Sequence, residues 1–356
     1  MNSESKGEER KRRVRMSRVK ELFLPKGGFK LVRLILALGI LLTIPEPLLL
    51  YALPQGEEVV SGEAEFERPD ENTLNITTSD KVIINYQSFD IGAWETVRFI
   101  QPSSESVALN RVIGGDPSEI LGTLLANGKI FLINPNGILF GKNAVIDTGS
   151  FLASTLDISN EDFLTGKWNF FSTGVAGSIT NLGTITAQEG GFVGLIAPTI
   201  VNEGVIRADL GKVVLASGEK VTLDFAGDGL ITFALEPSLI ASIENKGLIT
   251  AQGGEILLAA GSAEEIITEV INNEGVIEAQ SLEIKDGVVR LVGTDEGAVV
   301  NYGTIDVSGI EEGAKGGSVE ISGKYIGHAG EILANAGEGA DAGKVFLTSE
   351  KETLLA

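Results

Sequence analysis

The chain has 356 residues, 43% of them hydrophobic, with 45 glycines, one histidine and no cysteine. The missing thiol excludes disulfide bonds and thiolate metal sites, and a histidine-dependent catalytic triad has only His328 as a candidate. The formal net charge is −21, and so acidic a surface repels nucleic acid and anionic lipid headgroups, so neither is expected as a partner.

The first 52 residues are predicted to be an export signal. Residues 10–13 belong to a long basic leader region, and an uninterrupted apolar segment of eleven residues follows at Leu34–Ile44. That segment is shorter than the ~20 residues that a membrane-spanning helix needs. We expect cleavage after Ala52 and no stable transmembrane span after processing. The alternative is an uncleaved membrane anchor that continues through Leu48–Leu50.

The next part of the chain contains short β-rich segments separated by Gly, Pro, Asn and Asp. Four of them, at 59–66, 73–77, 82–91 and 95–100, are predicted to be strands. A stack of β coils must cover its first edge, because bare backbone donors and acceptors would otherwise recruit other strands. We therefore interpret these segments as an N-terminal β cap.

A turn is predicted at the centre of residues 126–155. Residues 134–137 read Asn-Pro-Asn-Gly and supply a side-chain acceptor, a preset φ, a residue that tolerates the left-handed region and a glycine, which favours a type I turn. The flanking runs, Lys129–Ile133 and Ile138–Phe140, are short and apolar and are predicted to be buried strands. Asn127 and Gly128, just before them, indicate a tight hairpin.

The same stretch carries a family resemblance. Segments 131–138 and 153–155, with 85–91 and 110–112 before them and Asn-x-Gly repeats after them, resemble the N-terminal secretion domains of filamentous haemagglutinin-type exoproteins. These exoproteins belong to the two-partner secretion pathway, and the resemblance covers roughly residues 53–300. It implies that a secretion and folding motif is formed by Asn85, Asn110, Arg111, Asn134, Pro135, Asn136, Gly137 and Ile138.

The resemblance also implies a partner and a location. The partner is an outer-membrane two-partner-secretion transporter, whose periplasmic domains bind the extended chain and whose β-barrel passes it outward. The product is then expected to be secreted, or displayed at the cell surface of a Gram-negative-type bacterium, via the periplasm. The expected role is that of an adhesin or haemagglutinin-like protein that meets a host or neighbouring cell, with a cytolysin of the same pathway as the alternative.

From residue 181 onward the sequence repeats the phrase Asn-x-Gly-x-Ile. Successive glycines lie 21, 43, 28, 28 and 27 residues apart, and we interpret the interval of 43 as two coils. A strand, a glycine-bearing corner and another strand per repeat predict a parallel β-helix. With the resemblance, the predicted fold is all-β, a right-handed parallel β-helix (solenoid) with an N-terminal β cap and extra-helical hairpins. The copies begin at Asn181, Asn202, Asn245, Asn273, Asn301 and, in degenerate form, His328.

Two further expectations follow from the repeats. If the asparagines occupy equivalent corners, their amides can bond in a ladder, and the alternative is that each amide only favours its own turn. We place the secretion domain at 53–300 and the start of a β-helical shaft at 301–356. We expect this shaft to continue in a longer exoprotein, because no polar capping element follows it in the sequence.

The chain offers little catalytic chemistry, and we predict a non-enzymatic protein with no catalytic residue, metal or cofactor. Residues 137–143 are one residue short of a phosphate loop and have Asn where Ser or Thr should bind magnesium. The enzymatic alternative is a β-helical polysaccharide lyase or glycosidase. A lyase must neutralise a uronate, but Arg207 and Arg290 are the only arginines from Asn181 onward.

Two roles are open for residues 134–137. As a turn, Asn134 contributes a side-chain acceptor, and Asn134→Asp should then largely preserve folding. As a recognition signal, the amide itself contacts the transporter, and the same change should impair secretion. We favour the turn, because the flanking apolar runs indicate that this loop connects buried strands.

Overall fold

The computed structural model describes residues 52–175, 177–224, 230–263, 268–295 and 297–356. Apart from Ala52, the predicted export signal lies outside the described residues. Within the described ranges, no helix is long and apolar enough to cross a membrane. Regular structure there is almost entirely strand, with one short helix, α1 (Asn160–Thr165).

The strands of the described residues are numbered along the chain. They are β1 Glu58–Ser61, β2 Ala64–Asp70, β3 Thr73–Thr78, β4 Val82–Tyr86, β5 Thr96–Ile100, β6 Val107–Val112, β7 Ser118–Ile120, β8 Thr123–Ala126, β9 Lys129–Ile133, β10 Ile138–Phe140, β11 Val145–Thr148, β12 Ser150–Ser154, β13 Asp157–Ile158, β14 Trp168–Phe171, β15 Ser178–Asn181, β16 Thr184–Ala187, β17 Phe192–Ile196, β18 Thr199–Asn202, β19 Val205–Arg207, β20 Lys212–Ser217, β21 Lys220–Asp224, β22 Thr232–Glu236, β23 Ser242–Asn245, β24 Leu248–Thr250, β25 Glu255–Ser262, β26 Thr268–Asn273, β27 Val276–Glu278, β28 Val288–Asp295, β29 Gly297–Asn301, β30 Thr304–Asp306, β31 Ser318–His328, β32 Glu331–Leu333 and β33 Lys344–Leu355.

Most of these strands stack in parallel as the three faces of a β-helix. Face A contains β4, β6, β9, β12, β17, β20, β25, β28 and the first parts of β31 and β33. Face B contains β7, β10, β15, β18, β23, β26, β29 and the second parts of β31 and β33. Face C contains β3, β5, β8, β11, β16, β19, β24, β27, β30 and β32. The predicted parallel β-helix is confirmed, with three strands in a coil rather than two.

The N-terminal cap is smaller than predicted. Of the five strands formed by the predicted cap segments, only β1 and β2 join the rest through antiparallel pairs, β1 with β4 and β2 with β3. The strands β3, β4 and β5, which the sequence assigns to the cap, already pair in parallel with the next coil. The first coil therefore begins about residue 73, because its apolar alternation already matches the strands that stack on it.

Two other local predictions are wrong. Asn127 and Gly128 do not close a hairpin, because β8 lies on face C and β9 on face A, each in parallel with strands of other coils. These two residues form a corner instead. The 43-residue interval between Gly204 and Gly247 is one coil, since β18 pairs directly with β23. The additional residues belong to an excursion from the helix, which the glycine spacing alone could not distinguish from a second coil.

The excursions form the predicted extra-helical hairpins. The strands β13, β14, β21 and β22 make an antiparallel four-stranded sheet that belongs to none of the three faces. Its apolar side packs with the outward side chains of face A in a second core, whose members include Phe131, Leu152, Phe170 and Leu257. Face A is thus buried on both sides, which explains why strands such as β9, β17 and β25 are almost continuously apolar.

The corner between faces B and C carries the asparagine ladder. The repeat asparagines are in register from coil to coil, and Asn181, Asn202, Asn245 and Asn273 each donate Nδ2 to Oδ1 of the next asparagine, over 2.7–2.8 Å. The backbone N–H of Gly183 bonds to Oδ1 of Asn181 at one end. At the other end, Asn301 Nδ2 lies 3.1 Å from His328 Nδ1. The ladder hypothesis is confirmed.

The glycine of each Asn-x-Gly phrase is required by close stacking. A Cβ on Gly247 would lie 2.1 Å from the carbonyl oxygen of Gly204, and a Cβ on Gly275 would lie 2.2 Å from that of Gly247. Real Cβ atoms do not approach backbone oxygens so closely. The corner therefore excludes every other residue type for lack of space, whereas the φ angles of these glycines lie outside the left-handed region.

We predict that Asn245→Ala destabilises the protein by roughly 2–4 kcal/mol, because it leaves Nδ2 of Asn202 and Oδ1 of Asn273 buried without partners. The measurement is the free energy of unfolding from denaturant titration. The control is Glu244→Gln at the neighbouring residue, which removes a surface ion pair with Lys246 and should change the unfolding free energy little. Equal losses for both variants would contradict the ladder's contribution.

For the glycine stack we predict that Gly247→Ala costs about 3 kcal/mol, because the added methyl group meets a backbone carbonyl that cannot move away alone. Gly115→Ala is the matched control, since a Cβ there meets no atom within 4 Å, and its unfolding free energy should change little. A Gly247→Ala variant as stable as the control would show that the coils separate easily at this corner.

Candidate functional site

Residues Asn134 to Gly137 form the corner between β9 on face A and β10 on face B. The N–H of Gly137 donates to the carbonyl oxygen of Asn134 over 3.2 Å, and the N–H of Asn136 donates to Asn134 Oδ1 over 3.0 Å. Gly137 has a φ of 126°, which a residue with a Cβ rarely adopts. The predicted turn, with its side-chain acceptor, is confirmed.

The amide group of Asn134 also donates, which the turn prediction did not include. Its side chain is fully buried, and Nδ2 bonds to the carbonyl oxygen of Asp116 at 3.1 Å and to Ser118 Oγ at 3.0 Å. Both acceptors belong to the same corner of the preceding coil. An aspartate cannot donate these bonds, so we revise the expectation that Asn134→Asp preserves the fold.

The turn is enclosed by neighbouring corners. Towards the preceding coil, Asn136 Nδ2 donates to the carbonyl oxygen of Gly114 over 2.9 Å. Towards the following coil, a Cβ on Gly177 would lie 2.3 Å from the carbonyl oxygen of Pro135. Ile138, which begins β10, is buried in the interior core. Only Pro135 and Asn136 are partly exposed, so the folded corner offers little surface to a partner.

Arg111 attaches the extra-helical unit to face A. From its outward position on β6, the guanidinium donates from Nε to Asp157 Oδ1 at 2.8 Å, from Nη1 to Asn160 Oδ1 at 2.9 Å and from Nη2 to the carbonyl oxygen of Ile158 at 2.6 Å. These acceptors lie on β13 and at the start of α1. The planar fork of arginine suits three such acceptors, whereas lysine presents a single charged nitrogen.

The other two motif residues lie elsewhere on face A. Asn110 is fully buried on the interior side of β6, where Nδ2 donates to the carbonyl oxygen of Phe131 over 3.3 Å. Asn85 is half-buried on β4, in register with Arg111.

The next residue, Tyr86, packs edge-on against Phe89 with 5.1 Å between the ring centroids. Burial raises the pKa of the Tyr86 hydroxyl well above the usual value. Tyr86 is therefore uncharged at neutral pH.

An aromatic cluster joins the motif strand to the extra-helical unit. The ring centroid of Phe131 lies 5.1 Å from that of Trp168, 5.8 Å from that of Phe163 and 6.4 Å from that of Phe192, each pair in an edge-to-face arrangement. Such pairs contribute about 0.5–1.5 kcal/mol each beyond the area that they bury. The outer side of face A around β9 is therefore packed against the extra-helical unit.

The structure does not bring the eight predicted residues to one surface. Asn134 to Gly137 form a corner with Ile138 beside it, Arg111 and Asn85 lie outside face A, and Asn110 lies inside. Sequence reasoning missed the groups that these residues bind, which lie on Gly114, Asp116, Ser118, Phe131, Asp157, Ile158 and Asn160. The identity of these partners depends on which coil stacks on which, and no local sequence pattern predicts it.

Comparison with known proteins is consistent with this geometry. The family model of the TPS secretion domain matches residues 51–321. A heme/hemopexin-binding protein of Haemophilus influenzae is 37% identical over 253 residues, which are 68% of this chain and 27% of the relative. A second heme/hemopexin-binding protein of that organism is 33% identical over 263 residues, 67% of this chain and 28% of the relative. The chain thus spans about a quarter of the length of these relatives.

Among solved structures, the HMW1 secretion domain from Haemophilus influenzae is similar over 85% of this chain and 82% of that one. The TM-score is 0.74 and the sequence identity 33%. The two proteins are therefore similar in the arrangement of their chains as well as in sequence.

We predict that Asn134→Asp destabilises the protein by about 3 kcal/mol, because a carboxylate would face the carbonyl oxygen of Asp116 and leave Ser118 without its donor. Asn134→Ala should cost about 2 kcal/mol. The control is Asn160→Asp, the same substitution at a side chain that accepts from Arg111, and we expect no loss there. The measurement is the unfolding free energy of each variant from denaturant titration. An Asn134→Asp protein as stable as the control would contradict the donor role of the Asn134 amide.

Proposed function

The chain belongs to the TPS secretion domain family, and from that membership we propose that it directs a larger exoprotein to a cognate outer-membrane transporter. In this proposal the periplasmic domains of the transporter bind the extended chain, and the chain folds after it leaves the β-barrel. The observation that carries the proposal is the family match over residues 51–321. A TPS secretion domain implies such a transporter as its partner.

The stacking order supports folding that proceeds along the chain. Each coil pairs with the coil immediately before it, as the registers of β15 with β18 and of β18 with β23 illustrate. A solenoid of this kind can add one coil at a time to an existing template. Folding outside the cell would then favour outward movement without ATP, because each completed coil cannot readily return through the pore.

The first coils are suited to nucleate this process. Arg111 bonds to acceptors 46–49 residues later, and the Phe131 cluster joins face A to the extra-helical sheet. These contacts join residues far apart in sequence, so forming them costs chain entropy. Once formed, they make a template that later coils extend. We propose that the motif residues act by building this template rather than by contacting the transporter from the folded state.

The cargo that follows the secretion domain is a separate proposal. We propose an adhesin or haemagglutinin-like protein, secreted or held at the surface of a Gram-negative-type bacterium, that meets a host or neighbouring cell. A cytolysin of the same pathway is the alternative. The relatives' names refer to heme or hemopexin binding, but the chain spans about a quarter of those proteins, so for this chain we propose secretion and not heme binding.

The enzymatic alternative finds little support at the site that would serve it. A groove of about 1040 Å³ lies between the corner of faces C and A and the extra-helical sheet, with Lys129 and Glu255 in its lining. Lys129 pairs with Glu105 at 2.7 Å, and Glu255 pairs with Arg290 at 3.1 Å. Lys129, one of the cations in the lining, is therefore engaged by a carboxylate and poorly placed to neutralise a uronate.

Deleting the gene of the cognate transporter should remove the protein from the culture medium, because no other route is proposed for it. Secreted product is measured by immunoblotting of the medium and of the periplasm, and continued secretion would refute the partner. The lyase alternative is tested with the same medium, and rapid depolymerisation of polyuronates would overturn the non-enzymatic proposal.

The role of the corner is tested by secreted yield. For Asn134→Ala, Asn134→Asp and Asn136→Asp we expect yield to fall in step with unfolding free energy, with Asn160→Asp as the unaffected control. A variant with normal stability and abolished secretion would instead make these amides a direct transporter contact.

A further inference from the structure

Within the described ranges, Glu95 is a buried carboxylate that accepts hydrogen bonds only from backbone groups. It lies between face B and face C of the first coil and is 5% exposed. Its Oε2 accepts from the N–H of Gly92 at 2.6 Å, and its Oε1 accepts from the N–H of Ala52 at 2.8 Å. In the described residues, no Lys or Arg side chain pairs with it. A buried carboxylate normally has a cationic partner.

The chain that follows Ala52 is held firmly beside this carboxylate. Leu53 is 3% exposed and belongs to the interior core. The N–H of Gln55 donates to the carbonyl oxygen of Ser88 over 3.0 Å, and the N–H of Gln87 donates back to Gln55 over 2.9 Å. Residues 53–55 are therefore anchored on the first coil independently of anything that precedes them.

Removal of the export signal would change what faces Glu95. Hydrolysis of the peptide bond after Ala52 adds one water molecule, leaves the new carboxylate on Ala52 and creates an ammonium group on Leu53, the next backbone nitrogen. The N–H that Glu95 Oε1 accepts leaves with the leader. The ammonium has three donors and is mostly charged at neutral pH, and it arises one residue from the vacated position.

We propose that Glu95 is the receptor for the α-amino group that leader removal creates, so that processing replaces a hydrogen bond from an uncharged backbone N–H by a buried ion pair at the start of the first coil. This inference rests on the proposed export and on cleavage after Ala52. The ammonium adds a full positive charge on the donor side of a hydrogen bond whose acceptor is already charged. In this proposal, removal of the leader adds an ion pair to a first coil that residues 53–55 already hold in place.

The surrounding charges favour a cation at this position. Burial raises the pKa of Asp90 above its ordinary value, the N–H of Glu119 opposes this, and the negative charges of Glu119, Asp116 and Glu95 add to the rise. The neighbouring cation on the mature N-terminal segment, Arg68, is already paired with Glu57 at 3.1 Å. An ammonium beside Glu95 would lower the repulsion among these carboxylates.

The test uses the secreted full chain and its Glu95→Gln variant, with Glu119→Gln as the control because it removes one exposed carboxylate from a nearby coil. An amine-reactive acyl reagent is applied over a range of pH, and mass spectrometry follows labelling of the N-terminal peptide. In the native chain we expect the α-amino group to label about tenfold more slowly at neutral pH than in Glu95→Gln, because pairing keeps it protonated. The control should label like the native chain.

The pH profile separates pairing from simple loosening of the N-terminus. Pairing moves the midpoint of labelling upward in the native chain by about one pH unit relative to Glu95→Gln, whereas loosening changes only the rate at high pH. Equal midpoints in the two proteins, with Leu53 as the first residue, would overturn this inference and leave the export proposal intact. A secreted product that retains residues 1–52 would overturn the inference together with the predicted cleavage.

Discussion

The contact between successive coils is the constraint on which the rest of the structure depends. Parallel strands in neighbouring coils are about 4.8 Å apart, and at the corner of faces B and C the backbone comes so close that a Cβ on Gly247 would lie 2.1 Å from a carbonyl oxygen. Only glycine fits there. Once the corners are in register, each asparagine amide has the next one at bonding distance, and a polar group that would be costly inside a core becomes part of a satisfied column.

The same stacking explains why the corner around Asn134 is buried. A corner in the third coil has a corner on either side of it, so the amide of Asn134 is used to bond Asp116 and Ser118 and is turned away from solvent. In the folded protein the Asn134 amide is therefore unavailable to a partner.

The first part of the helix differs from the later repeats in how it is held. Later coils are maintained by ladders between equivalent residues, which any number of similar coils could extend. Early coils depend on contacts between unlike residues, such as Arg111 with β13 and α1, and Phe131 with Trp168. Contacts of this second kind specify where the stack begins, which a repeating pattern cannot do.

The sequence by itself determined the parallel β-helix and the turn at Asn134, because both depend on local residue order and spacing, and it offered the asparagine ladder as one of two roles for the repeat asparagines. It did not determine that the 43 residues from Gly204 to Gly247 are one coil, that Asn127 and Gly128 form a corner and not a hairpin, or that β3 and β4 already belong to the first coil. Those outcomes depend on which strands pair across the stack, and alternation looks the same for parallel and antiparallel partners. The partners of Arg111 and of the Asn134 amide likewise come from residues distant in sequence, so only the tertiary structure decided them.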